Sequence, residues 1–204
     1  MESPARRIIA HYQTHAHEWD ADRQKVWNDK IWHERFAALL PPSASVLELG
    51  CGSGWPVARY LTECGHQVTG VDSSPPMIEL ARQRLPAQRW IVGDMRETAL
   101  DRYFDGILAW DSFFHLDFGD QRRMFPIFAA HSHSGTVLMF NTGPQHGEAI
   151  GEYRGDPLFH ASLDPSEYHW LLERNGFEIV QHVANDPEAG GRTVWLTKRV
   201  GQTA

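Results

Sequence analysis

Cysteine is nearly missing from this sequence: two in 204 residues, Cys51 and Cys64, with no Cys-x-x-Cys spacing. That excludes a disulfide framework and fits a reducing compartment. Positive charge is also short, with 19 Lys and Arg against 26 Asp and Glu and a formal charge of −7. The basic residues fall in scattered pairs, Arg6-Arg7, Arg82/Arg84 and Arg122-Arg123. These read as solvated helix faces rather than a stripe for a phosphate backbone, so no nucleic-acid partner is expected. No apolar run is long enough to span a bilayer, and Met1–Arg7 lacks the apolar core of a secretory leader. No membrane partner is expected, and the cytoplasm is the expected compartment. A Gly-x-Ser-x-Gly elbow is absent, which removes support for serine hydrolase chemistry. With 42% hydrophobic and 22% charged residues and no repeat or linker, residues 1–204 suit one domain with a sizeable core.

What is present centres on residues 45–56. Val46, Leu47 and Leu49 form a short apolar run of the kind buried on both faces of a parallel sheet. It breaks at Gly50, Gly52 and Gly54, and Pro56 then stands where a helix begins. Strand, glycine turn and helix let a ligand lie against bare backbone, with helix N–H groups aimed at an anion. Val68–Asp72 reads as a second strand ending in a carboxylate, 22 positions after Gly50, the offset at which dinucleotide folds hold ribose hydroxyls. The glycines run Gly-x-Gly-x-Gly, however, and Trp55 follows where an NAD fingerprint needs its last glycine. Glu48 stands two positions ahead of the first glycine.

Further along, strands alternate with helices. Strands are expected at 45–49, 67–71, 89–92, 104–109 and 135–140, and helices at 56–64, 75–84 and 118–131. This alternation specifies an α/β sandwich with a mostly parallel sheet and ligands at the strands' carboxyl ends. A helix at 165–174 precedes two strands, from 177 and at 193–197, joined by a turn at 186–191. Residues 1–42 read as helical cover rich in aromatics. The segment 143–164 has no clean period and is too long for a plain connection, so a substrate-side insertion is expected there.

The acid before the glycines, the Gly-x-Gly-x-Gly run and Asp72 together resemble the class I S-adenosylmethionine-dependent methyltransferases of small-molecule type, whose first motif is commonly E-x-G-x-G-x-G. The resemblance covers about residues 45–199. It implies a Rossmann-like three-layer fold of seven strands in the order 3-2-1-4-5-7-6, the last antiparallel. It also implies S-adenosylmethionine as cofactor and a small-molecule acceptor methylated on oxygen or nitrogen. A DNA amino-methyltransferase would show an Asp/Asn-Pro-Pro-Tyr-like motif after the fourth strand, where this sequence has Asp111-Ser112-Phe113-Phe114. An NAD(P)-dependent oxidoreductase and a non-catalytic S-adenosylmethionine-binding module are the rivals, and the expected state is a monomer or homodimer.

The resemblance distributes the cofactor contacts. Backbone around Gly50, Cys51, Gly52 and Gly54, with Glu48, would hold the methionyl end. Asp72 would take both ribose hydroxyls, with Ser73 and Met77 at the adenine edge. Asp94 would accept from the adenine amino group and the Met95 N–H would meet a ring nitrogen. Asp111 has the chemistry for the cofactor ammonium. Of Trp110 and Phe114, one is expected to wall the sulfonium and the other to be core. Each residue also has a plainer reading. Cys51 packs as a small residue, Asp72 or more readily Ser74 caps a helix, Asp94 closes a turn, and Tyr12 and Trp19 pack on the sheet instead of touching cofactor.

A hydroxyl acceptor needs a base and an amine must be neutral. His115, closing the fourth-strand motif, is the first candidate as base or acceptor contact. Phe114, His146, Tyr153 and His160 are further acceptor-side candidates. The pairs His11/His15, His15-x-His17 and His131-x-His133 join no Cys/Asp/Glu cluster at ligand spacing, so no metal is expected.

Overall fold

The computed structural model describes residues 4–25 and 27–201. Residues 1–3 and Val26 of the expected cover lie outside them. The cover is three helices, α1 (Pro4–Thr14), α2 (Ala16–Arg23) and α3 (Lys30–Ala38). The sheet follows as β1 (Ser45–Leu49), α4 (Val57–Glu63), β2 (Gln67–Asp72), α5 (Pro75–Arg84), β3 (Arg89–Val92) and β4 (Phe104–Ala109). Then come α6 (Phe118–Ala130), β5 (Ser132–Thr142), a hairpin of β6 (Gly147–Tyr153) and β7 (Asp156–Ser162), α7 (Pro165–Arg174), β8 (Phe177–Asp186) and β9 (Arg192–Arg199). No helix among the described residues is long and apolar enough to cross a membrane.

Seven strands form one sheet in the order β3-β2-β1-β4-β5-β9-β8, with β9 antiparallel to both neighbours. With the separate hairpin set aside, this is the expected order. Alternation along the central strands divides the core. Val46 and Leu108 face a layer containing Trp32, Phe36, Leu61 and Ile78 from α3, α4 and α5. Leu47, Leu49, Ile107 and Ala109 face the other, where Phe125, Phe128, Tyr168 and Leu172 from α6 and α7 meet Phe140 and Trp195. Period-two side chains in β1 thus feed both layers, as a strand buried on both faces must. Trp90 of β3 packs against Gly70 of β2, where a Cβ would stand 2.4 Å from its ring.

Two expectations change in detail. Pro56 sits just outside α4, at the N-cap position rather than inside the first turn. The segment 143–164 is not irregular: β6 and β7 pair antiparallel from Gly147–Ser162 to Tyr153–Asp156. Arg154 (φ 52°) and Gly155 (φ 85°) make a two-residue turn with both φ values positive, the geometry that suits hairpin twist. Its β6 strand is exposed or half-exposed at every position, so no apolar alternation marks it in the sequence.

Candidate active site

The cavity lies at the carboxyl ends of β1 to β4, roofed by α1 and α2, with about 1100 Å³ of empty space including its open mouth. Its floor is the glycine turn. Gly50 (φ 75°) donates its N–H to Val71 O at 2.8 Å, and a Cβ on it would stand 2.2 Å from Ser112 Cβ. Gly52 (φ 53°) differs, since a Cβ there would meet nothing nearer than Met77 Sδ at 4.0 Å. Its outer face is open backbone on the cavity.

Asp72 pins this turn. Its two carboxylate oxygens accept N–H groups from Gly52 and Ser74, each at 2.8 Å. A carboxylate has about four acceptor positions, so two stay free toward the cavity that Asp72 lines. Burial pushes its carboxyl up, and the two N–H donors oppose that. Ser74 occupies the N-cap position of α5, but its hydroxyl donates to Tyr12 O at 3.3 Å rather than capping the helix. Ser73 and Met77 line the same wall.

Glu48 stands beside it on the cavity wall, buried, with Oε2 lacking a partner among the described residues. Burial pushes its carboxyl up to about 8; the Asp72 charge adds to this and Arg23 opposes it. Asp111 is the converse. Arg192 grips it with two hydrogen bonds of 2.6 and 2.8 Å, Asn141 Nδ2 donates at 2.8 Å, and Arg23 lies 3.4 Å away. These partners overcome burial and hold it below the usual carboxylate range. Asp111, expected at the ammonium, lines the cavity but is already paired with a cation, whereas the neighbouring Glu48 carboxyl keeps an oxygen without a partner among the described residues.

Asp94 caps the start of a short 3-10 turn, Met95–Glu97, accepting the Arg96 N–H at 2.9 Å, and the Arg96 guanidinium pairs with its carboxylate. It and Met95 also line the cavity. Trp110 reaches the cavity wall from the core while its Nε1–H donates to Asp29 at 2.6 Å. Phe114 is off the cavity lining and packs against His115 and His160. Cys51 is buried and its thiol is pushed well up by that burial, which supports the packing role over a reactive thiol. Gly54 turns inward, where a Cβ would press on Trp90 at 3.0 Å.

On the roof, Tyr12 and Trp19 meet edge to face, with ring centroids 5.2 Å apart. His115 Nδ1–H donates to Phe159 O at 2.7 Å, which leaves Nε2 as the acceptor for the Tyr12 hydroxyl at 2.8 Å. Burial lowers His115 to about 4 and raises the Tyr12 hydroxyl well above its usual value, so both are neutral near pH 7. A free basic nitrogen aimed at an acceptor is therefore not what His115 presents. His160 stacks on it at 4.9 Å. Tyr153 donates to Asp22 at 2.9 Å and packs on Trp19, away from the main cavity. His146 is corrected: it is exposed, stacked on Phe118 at 4.6 Å and off the cavity lining.

A family model described as "Methyltransferase domain" matches residues 19–182. The chain belongs to the methyltransferase domain family. The magnesium-protoporphyrin O-methyltransferase of Rhodobacter capsulatus is 33% identical over 105 residues, 49% of this chain and 45% of that protein. The chain spans less than half the length of the curated relatives it matches. Among solved structures, a Burkholderia thailandensis 1,6-didemethyltoxoflavin-N1-methyltransferase with bound 1,6-didemethyltoxoflavin and S-adenosylhomocysteine is similar at TM-score 0.77 and 19% identity, covering 98% of this chain and 92% of the other. The magnesium protoporphyrin IX methyltransferase of Synechocystis with bound S-adenosylmethionine matches at TM-score 0.71 and 15% identity, covering 98% of each.

Two cations of this methyltransferase domain escaped the reading of its sequence. Arg23, at the end of α2, lines the cavity, and Arg192, at the start of β9, holds Asp111. Arg192 lies 81 positions from its partner, beyond any local motif. Arg23 carries a weak signal, a basic residue closing the aromatic helix that holds Trp19.

Proposed function

We propose that this protein transfers the methyl group of S-adenosylmethionine to an oxygen or nitrogen of a small molecule. The observation that carries the reading is the unpartnered Glu48 oxygen, buried on the same wall as Gly52 and the half-used Asp72 carboxylate. Such an orphaned acceptor in a cavity needs a donor, and the cofactor's ammonium is one. Asp72 would hold the ribose hydroxyls, and Asp94 and Met95 would meet the adenine with Ser73 and Met77 at its edge. Arg23 would take the methionyl carboxylate, while Trp19, Tyr12 and Trp110 would wall the sulfonium from water.

Bound there, the cofactor supplies a methyl group already activated on cationic sulfur. The chain's own work is then to orient the acceptor and exclude water, which in favourable intramolecular systems contributes up to ~10 kcal/mol. The Tyr12–His115 pair is neutral and internally satisfied, so it orients the acceptor rather than taking its proton. The reading therefore favours acceptors that arrive nucleophilic, an ionised oxygen or a neutral amine. The hairpin 147–162 forms the acceptor-side cover, since Phe159 fixes the His115 tautomer and Tyr153 packs on Trp19. Free Cys51 and Cys64 support a cytoplasmic setting, and the net charge of −7 supports a partner other than nucleic acid.

Titration with S-adenosylmethionine, S-adenosylhomocysteine and NADH tests the site. Micromolar binding of the first two without the third is expected; NADH binding alone would overturn the reading. A panel of carboxylic acids, phenols and amines then tests transfer, and binding without turnover of any of them would favour the non-catalytic module.

A further inference from the structure

Beyond the cavity, α1 and the hairpin tip bring together three metal-ligating side chains that sequence spacing keeps apart. His11, in the last turn of α1, and His15, just past its end, stand four positions apart, one helical turn, with ring centroids 4.8 Å from each other. Asp156 is the first residue of β7 and comes 141 positions after His15. Its Oδ2 is 2.7 Å from His15 Nε2. The histidine pair, which lacks a third ligand in the sequence, gains one from the fold.

A second observation points to a ligand here. His11 is 8% exposed, and neither of its ring nitrogens has a hydrogen-bond partner among the described residues. A buried imidazole with both nitrogens unsatisfied is rare in native structures and calls for a reason. Its neighbours are His15 and the Tyr153 ring, whose centroid is 5.8 Å from each histidine. An ordinary ion pair between His15 and Asp156 accounts for those two residues and leaves His11 unexplained.

We propose that His11, His15 and Asp156 form a binding site for a zinc-like divalent cation that ties α1 to the β6–β7 hairpin. One donor atom from each residue lies within 4.8 Å of the other two. Points so spaced lie no further than about 2.8 Å from a common centre, and metal–nitrogen bonds to zinc are about 2.0–2.1 Å. Each donor therefore moves by less than about 1 Å to close the site. Two imidazoles and one carboxylate suit zinc, nickel, cobalt or copper, and offer too few oxygens for calcium or magnesium. Asp156 is exposed, so the fourth position faces water.

The position gives the site a structural consequence. Tyr12 follows His11 on α1, and Phe159 and His160 lie on the strand that Asp156 opens. A cation at this junction would fasten α1, part of the roof, to the hairpin packed against it, without entering the cavity. Its occupancy does not depend on the methyltransferase reading, because the ligands lie outside the cofactor wall.

The test uses the full chain without a histidine tag, stripped with a chelator, and titrated with cobalt(II) and with zinc. One saturable equivalent, with visible cobalt bands that zinc displaces and a rise in melting temperature, is the expected result. His15→Ala and Asp156→Ala, both near the surface, should each weaken binding by at least about tenfold, the lower end of what loss of mere supporting contacts does at metal sites. Absence of a saturable equivalent in the wild-type chain, or undiminished binding in both variants, would overturn the proposal. Because the readout is metal alone, failure of cofactor binding in a separate titration leaves the result intact.

Discussion

The two walls of the cavity are built differently. The floor is made by backbone: Gly50, Gly52 and Ser74 N–H groups, just past the ends of two adjacent parallel strands, close onto Val71 and Asp72. The roof is made by side chains from elements far apart in the chain: Tyr12 on His115, Trp19 on Tyr153, and His115 on the carbonyl of Phe159. The floor is thus fixed by the same ladder that forms the sheet, whereas the roof depends on aromatic packing between a helix and a hairpin, segments that open at lower free energy than a central strand.

The contrast breaks most severely at Gly50. Ala there brings a Cβ to 2.2 Å from Ser112 at a positive φ, so Gly50→Ala should lose about 3 kcal/mol or more of stability, combining overpacking and left-handed strain. Denaturant midpoints check this, and a midpoint equal to wild type would show that the floor yields. Glu48 sharpens the contrast through pH. Its folded carboxyl is raised to about 8 from 4.5, so the stability it contributes is full below about pH 4.5 and is lost as pH rises through 8. Glu48→Gln should flatten this fall, on the order of a few kcal/mol between pH 5 and 8. It should also weaken S-adenosylmethionine, and calorimetry in buffers of different ionisation enthalpy should show proton release on binding in the wild type alone. A stability profile that does not distinguish Gln from Glu would refute the buried-acid assignment.

Asp72→Ala should weaken the cofactor by about 1.5–3 kcal/mol, the scale of lost charge-assisted hydrogen bonds. An unchanged dissociation constant in a folded variant removes the ribose role. The smallest effect belongs to the roof. Tyr12→Phe deletes one hydroxyl and leaves His115 Nε2 without its donor, at about 1 kcal/mol. The ring that walls the sulfonium is kept, so cofactor affinity should hold nearly constant while turnover falls; equal loss in both would place the Tyr12 hydroxyl itself on the cofactor.

The same division explains what could be read before the fold was known. Glu48, the glycines and Asp72 fall within 25 residues, and each has a backbone reason for its type, so the cofactor wall was legible. The seven strands were legible because short apolar runs, such as Val46-Leu47 in β1, Val68 to Val71 in β2 and Ile107 to Ala109 in β4, are bounded by glycine or an acid. Contacts of long sequence separation were not. Arg192 reaches Asp111 across 81 positions and turns the expected ammonium ligand into half of an ion pair. The hairpin escaped notice because its outer strand is solvated along both edges of its pattern and its turn is Arg-Gly rather than Asn-Gly. His146 looked like a rim residue by position, yet it spends its ring on Phe118.

The grip of Arg192 on Asp111 also reaches beyond the cavity. Asp111 holds a left-handed backbone (φ 50°), and the guanidinium that steadies it arrives from the first residue of β9, just past the turn joining the last two strands. That same turn accepts the Trp32 indole on Asp186 and the Arg35 side chain on Glu188. A protein engineer who shortened residues 187–191 to trim an innocuous-looking surface bend would slacken a bracket shared by the first and last parts of the chain.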